Sequence, residues 1–156
     1  MAYLFQTVID CRDPHVLADW WADMLGWDVE ESDEGFIKEM IAQGHATDAD
    51  TRVYRGRLVW RGGQAINHPD DSGPARRRVL FQEVPEGTPD EPTTDRPMPE
   101  RRHNRLHLDI RIGDDDRDEI VARLIARGAT KLWDGRQGPH TWVTMIDPEG
   151  NEFCVA

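Results

Sequence analysis

Cysteine is scarce in this chain: Cys11 and Cys154 are the only two in 156 residues. That rules out a disulfide framework and leads to the expectation of free thiols in a reducing cytoplasm. No run approaches the roughly 20 apolar residues needed to cross a bilayer. The start, Met1-Ala2-Tyr3-Leu4-Phe5-Gln6, has neither the basic residues nor the apolar stretch of a secretion signal. No membrane association is expected. Basic residues are outnumbered, 19 Lys and Arg against 30 Asp and Glu, for a net charge of -11. Binding to nucleic acid needs the opposite balance, because phosphate contacts rely on a cationic surface, so that partner class is excluded. Also missing are a phosphate-cradling glycine loop, a serine nucleophile elbow and a CxxC pair.

What remains is ordinary globular material. A hydrophobic fraction of 38% and six tryptophans supply the core of one domain, or of two small modules that share one. The chain repeats itself weakly. Leu4 to Cys11 reads as a strand, and Asp13-Pro14 is an N-cap followed by a proline at the first helical position. Val16, Leu17, Trp20, Trp21, Met24 and Leu25 then form one apolar helical face, and Gly26 stops the helix. The second half has the same order: an alternating strand Leu106 to Ile112, acidic helix-start residues Asp114 to Asp118, an apolar face of Ile120, Val121, Leu124 and Ile125, and a stop at Gly128. Sliding one strand onto the other puts Gln6 on His107, Thr7 on Leu108 and Ile9 on Ile110.

Three strands are expected after each helix. They read as Arg52 to Trp60, Gln64 to His68 and Arg77 to Val84 in the first half, and as Ala129 to Asp134, Thr141 to Asp147 and Asn151 to Ala156 in the second. The fold class is α+β, built from module 1 (residues 3–84), a proline-rich linker (85–104) and module 2 (105–156). Phe36, Ile37, Met40 and Ile41 add a short amphipathic helix inside module 1, either packed on the sheet or serving as a lid.

Strand alternation sorts the polar residues by face. His107, Asp109 and Arg111 share one face of their strand, opposite Leu106, Leu108 and Ile110. With Asp147 to Asn151 as a loop, Thr144 pairs with Cys154, so Trp142, Thr144 and Cys154 face the same way. Gln82 is the polar inward candidate of the first half. The spacing of His103 and His107 imitates a helical zinc motif, but on a strand the two lie ~13 Å apart.

Asn104-Arg105-Leu106-His107-Leu108-Asp109 and Asp147-Pro148-Glu149-Gly150-Asn151-Glu152-Phe153 together resemble the vicinal oxygen chelate superfamily, in its glyoxalase-like branch that includes bleomycin-resistance proteins and dioxygenases. The resemblance implies two β-α-β-β-β modules pairing into a curved sheet around a central cavity. It places the metal positions on Gln6, Gln82, His107 and Cys154, with glutamate expected where Gln82 and Cys154 stand. A divalent metal cofactor is thus implied, while two of its anionic ligands are replaced.

Two functions follow as expectations. One is an enzyme of lyase, isomerase or dioxygenase type, in which His107 and Gln6 hold a metal or polarise a small oxygenated substrate and Asp109 moves the proton. The alternative is a metal-free protein that sequesters a small molecule against Trp142. A domain whose cavity is filled by side chains is the third, blander reading. The resemblance also implies a homodimer, with modules pairing within or between chains.

Overall fold

The structure is a computed structural model that describes residues 7–73, 76–83, 107–137 and 140–156. The chain forms two compact units, Met1–Glu91 and Pro92–Ala156.

Unit 1 opens with β1 (Thr7–Cys11) and α1 (Pro14–Leu25). The Asp13 carboxylate accepts from the backbone N–H groups of His15 and Val16, Pro14 starts the helix, and Gly26 ends it in the left-handed conformation, φ 65°. Leu17, Trp20 and Trp21 are buried, as the apolar spacing predicts, whereas Val16 is exposed. His15 is buried too and donates from Nε2 to the Trp60 carbonyl at 2.8 Å.

After α1 come β2 (Asp28–Val29), α2 (Glu34–Ala42), a 3-10 turn (Asp48–Asp50), β3 (Thr51–Tyr54), β4 (Arg57–Trp60), β5 (Gly63–Asn67) and β6 (Arg78–Glu83). The sheet order is β1-β6-β5-β2, with β1 and β6 parallel and the other pairs antiparallel. One strand assignment is corrected. Arg52 to Trp60 is not a sheet strand but a separate hairpin, β3 on β4. Arg55 and Gly56 both have positive φ, 49° and 78°, the geometry of a tight two-residue hairpin turn. Short β2 takes the sheet edge instead, through Asp28 on Asn67 and Val29 on Ile66.

Unit 2 contains β7 (Leu108–Ile110), α3 (Arg117–Ala126), β8 (Thr130–Gln137), β9 (His140–Ile146) and β10 (Glu152–Val155). Its order, β7-β10-β9-β8, repeats that of unit 1 once the inserted α2 and β3–β4 segment is set aside. The β9–β10 turn is built on one carboxylate. Asp147 is buried, accepts from the N–H groups of Glu149 and Asn151 at 2.9 Å each, and takes the Asn151 amide at 2.7 Å. Gly150 supplies the left-handed residue, φ 92°. Phe153, Val155 and Met145 are fully buried in the core of this unit.

The end of β2 is tied to β6 by a charged network. Glu30 accepts from Arg78 through both oxygens at 2.8 Å, and also from Arg76 at 2.8 Å and Asn67 at 2.9 Å. The Arg78 contact, opposed by partial burial, holds the Glu30 carboxyl down at about 2 against an ordinary 4.5. A carboxylate whose folded value is depressed stabilises the fold fully above its unfolded value, and that contribution disappears as pH falls through the folded one. The urea midpoint is therefore expected to drop between pH 4.5 and pH 2. In Glu30→Gln the fall across that window is shallower; an identical profile in the variant would show that the network does not govern acid stability.

Candidate functional site

Parallel pairing of β7 with β10 sets Asp109 beside Cys154, and antiparallel pairing of β10 with β9 sets Cys154 beside Thr144. This is the hairpin register expected from the Asp147–Asn151 loop. Because faces alternate, these residues lie on the side of the sheet opposite Phe153 and Val155, whose side chains are fully buried. His107, just before β7, reaches the same side, with Nε2 3.2 Å from Asp109 Oδ1. The Cys154 sulfur and the Thr144 hydroxyl are 3.6 Å apart.

The result is a graded site. Thr144 and Cys154 form a buried floor, 2% and 5% exposed. The His107 and Asp109 side chains stand above it, 41% and 62% exposed, where a solute can reach them. One donor atom each from His107, Asp109 and Cys154 lies within 4.8 Å of the others. Burial pushes the Cys154 thiol up from its ordinary value, the Thr144 contact opposes this, and the Asp109 and Glu152 charges add to it. At neutral pH the sulfur is therefore a protonated thiol rather than a nucleophile.

Trp142 lies on β9 opposite Gly135 of β8. A side chain at Gly135 would collide with the Trp142 indole, so this glycine is what lets the ring lie across the neighbouring strand. Trp142 is half-buried and shares the rotation of Thr144.

In unit 1, Gln6 lies outside the described residues. Gln82 is exposed, opposite Asp10 on β1 and Gly63 on β5. In the repeat, the residue standing where Cys154 stands in unit 2 is Leu80, which is opposite Val8 just as Cys154 is opposite Asp109. Leucine offers no metal ligand. Among the described residues, unit 1 therefore brings no donor to the equivalent position. The sequence hid this because the loop before β6 is longer than its counterpart, which obscures the register.

The donor chemistry bears on the implied metal. One imidazole nitrogen, one carboxylate oxygen and one sulfur match the mixed set that zinc accepts. They match poorly the oxygen-rich sets that manganese prefers. His107, Asp109 and Cys154 thus fit a borderline-soft ion, and binding requires that the raised Cys154 thiol lose its proton.

A family model described as a glyoxalase-like domain matches residues 6–156. A comparison with curated proteins finds no match. Among solved structures, a glyoxalase family protein from Bacillus cereus aligns with TM-score 0.57 at 16% identity, covering 99% of this chain and 93% of that one. The fosfomycin resistance protein FosX from Listeria monocytogenes aligns with TM-score 0.56 at 10% identity, covering 99% and 92%. A glyoxalase/bleomycin resistance protein/dioxygenase family enzyme from Burkholderia phytofirmans aligns with TM-score 0.53 at 14% identity, covering 96% and 94%. At such identities these likenesses establish the fold and nothing finer.

Both thiols are buried, Cys11 at 0% and Cys154 at 5% exposure. The native protein should therefore react negligibly with an aromatic disulfide reagent at pH 7.5 and release two equivalents in denaturant. Rapid native reaction at Cys154, located by mass spectrometry, would contradict the protonated, buried sulfur described above.

Proposed function

The chain belongs to the glyoxalase-like family, and we propose that it binds a small oxygenated molecule over the sheet face carrying His107, Asp109 and Cys154 and moves a proton on it. The observation that carries this reading is the contact of His107 Nε2 with Asp109 Oδ1 at 3.2 Å, above a buried floor. A carboxylate at that distance orients the imidazole. With Nε2 turned to Asp109, Nδ1 is the nitrogen left to take a proton from a carbon acid or to return one. This is chemistry of lyase or isomerase type. Trp142 supplies an apolar wall for the ligand.

When zinc is bound, His107, Asp109 and Cys154 hold it, and the ion supplies Lewis-acid polarisation of a substrate oxygen. The acid–base roles of the two exposed side chains do not require it. Leu80 in place of a ligand favours the second reading, a metal-free protein that sequesters its ligand against Trp142.

A panel of α-hydroxy ketones and 2-oxoaldehyde thiohemiacetals in deuterium oxide, followed by proton NMR, separates the two. The first reading expects catalysed exchange at the carbon next to the carbonyl, reduced about 100-fold or more in His107→Ala and less in Asp109→Asn. Thermal stabilisation by panel members without exchange would favour sequestration. Metal analysis of tag-free protein adds an independent check. Less than about a tenth of an equivalent of zinc, with no change in exchange on adding the ion, removes the metal from the account.

The assembly we infer is a homodimer in the cytoplasm. Val16, Val53, Ile125 and Trp133 are exposed apolar side chains suited to an interface, and the two buried free thiols suit a reducing compartment. Light scattering at tens of micromolar is expected to give twice the chain mass; a monomer mass would overturn the dimer.

A further inference from the structure

The segment inserted between β2 and β5 belongs to unit 1 alone. In unit 2, β8 ends at Gln137 and β9 begins at His140, which leaves no room for a counterpart. The insertion carries α2, the 3-10 turn and the β3–β4 hairpin. It has packing of its own: α2 lies against β4, the 3-10 turn lies against β3, and Ile37 and Val59 are buried. Arg57 reaches back within the insertion to Glu31 at 3.7 Å and Glu34 at 4.0 Å. The hairpin pairs with neither four-stranded sheet.

The two ends of the insertion meet at one point. Gln64 Nε2, just past the exit, donates at 2.7 Å to the carbonyl of Glu30, just before the entry. Both sides of this neck are anchored to the sheet. Arg76 and Arg78 hold the Glu30 carboxylate, and the Gly62 carbonyl accepts from the Glu83 N–H at 2.9 Å. Glu31 and Gly62, where the chain crosses the neck, are exposed, and Gly62 faces open space. A self-packed segment joined to its domain by two adjacent connections has the build of a hinged body.

Its far side meets α1 through polar contacts. The Tyr54 hydroxyl and the Arg55 guanidinium both donate to Asp19 Oδ2, at 2.6 Å and 2.8 Å. Burial, with the Asp19 contact adding to it, pushes the Tyr54 phenol up from its ordinary value, so it remains a donor at neutral pH. Arg52 reaches Asp13 Oδ2 at 3.1 Å, while Asp13 Oδ1 caps α1. The His15 ring lies 5.0 Å from the Tyr54 ring, and its Nε2 donates to the Trp60 carbonyl. Partly exposed ion pairs of this kind are weak and are screened by salt, which suits a contact that opens.

We propose that residues 31–62 form a flap that swings on the Glu30–Gln64 neck and is latched to α1 by Asp19 and Asp13. Closed, the flap sets Phe36 and Trp60 beside Leu80 and Gly63 around a cleft; open, it clears that face of the unit 1 sheet. The inference stands on unit 1 alone and is independent of the chemistry assigned to His107.

Electron paramagnetic resonance on the full chain tests it, with spin labels on Val16→Cys of α1 and Val53→Cys of the hairpin, both exposed positions. The native cysteines are buried and stay unlabelled, and an excess of unlabelled protein removes distances between chains. The expected result is a short closed distance and a longer open one, with the open share rising as salt is added. Asp19→Ala, which removes the partner of both Tyr54 and Arg55, should raise the open-to-closed ratio about tenfold. Labels on Val16→Cys and Asp28→Cys span α1 and β2 without the flap and should keep one distance throughout. One fixed distance between Val16 and Val53 in both proteins, a ratio indifferent to salt, or equal broadening of the control pair would each overturn the proposal. So would loss of helical circular dichroism in Asp19→Ala, which would make the contact part of the core rather than a latch.

Discussion

Parallel pairing between the first and last strands of each unit is the constraint on which the rest of the molecule depends. Parallel strands cannot be joined by a tight turn, so a long crossover must intervene: α3, β8 and β9 in unit 2, and the longer run from α1 to β5 in unit 1. In unit 2 this pairing places Phe153 on Leu108, Cys154 on Asp109 and Val155 on Ile110. Phe153 and Val155 are buried in the core, and the alternate positions hold the polar residues on the other face. A slip of one residue would exchange the two sets and put the Asp109 carboxylate in the core. Burial of the apolar set is thus what holds the polar set in place.

The Asp147 turn enforces the same register from the other side. Its carboxylate satisfies two backbone N–H groups and one amide, so the loop has a defined length, and β10 leaves it with Cys154 opposite Thr144. The site therefore draws on three strands of one unit. Asp109, Thr144 and Cys154 sit on paired strands and His107 directly before one, which is how a fold holds donors within a few ångströms of one another.

The two modules share a topology and differ in what they carry. Unit 2 retains a histidine, a carboxylate and a thiol on its polar face. Unit 1 places Leu80 at the equivalent register position and spends its extra length on an inserted helix and hairpin, α2 and β3–β4. Duplicated modules free one copy to change its chemistry while the other keeps the scaffold, because strand pairing depends on backbone and buried residues rather than on the exposed face.

Much of this was determined by sequence alone, where the signal is local. The Asp13-Pro14 helix start, the Gly26 stop, the apolar spacing of Leu17, Trp20 and Trp21, and the Asp-Pro-Glu-Gly-Asn turn each depend on neighbours a few residues away. So did the pairing of Thr144 with Cys154, since a tight hairpin counts outward from its loop. Only the tertiary structure decided the parallel registers, because no turn connects those strands and nothing nearby counts residues from one to the other. That is why Leu80 rather than Gln82 proved to be the equivalent of Cys154. It also decided that Arg52 to Trp60 folds back at Arg55-Gly56, giving up the sheet edge to Asp28 and Val29. An alternating apolar pattern is the same for a sheet strand and for half of a hairpin; which of the two forms depends on what lies beside it.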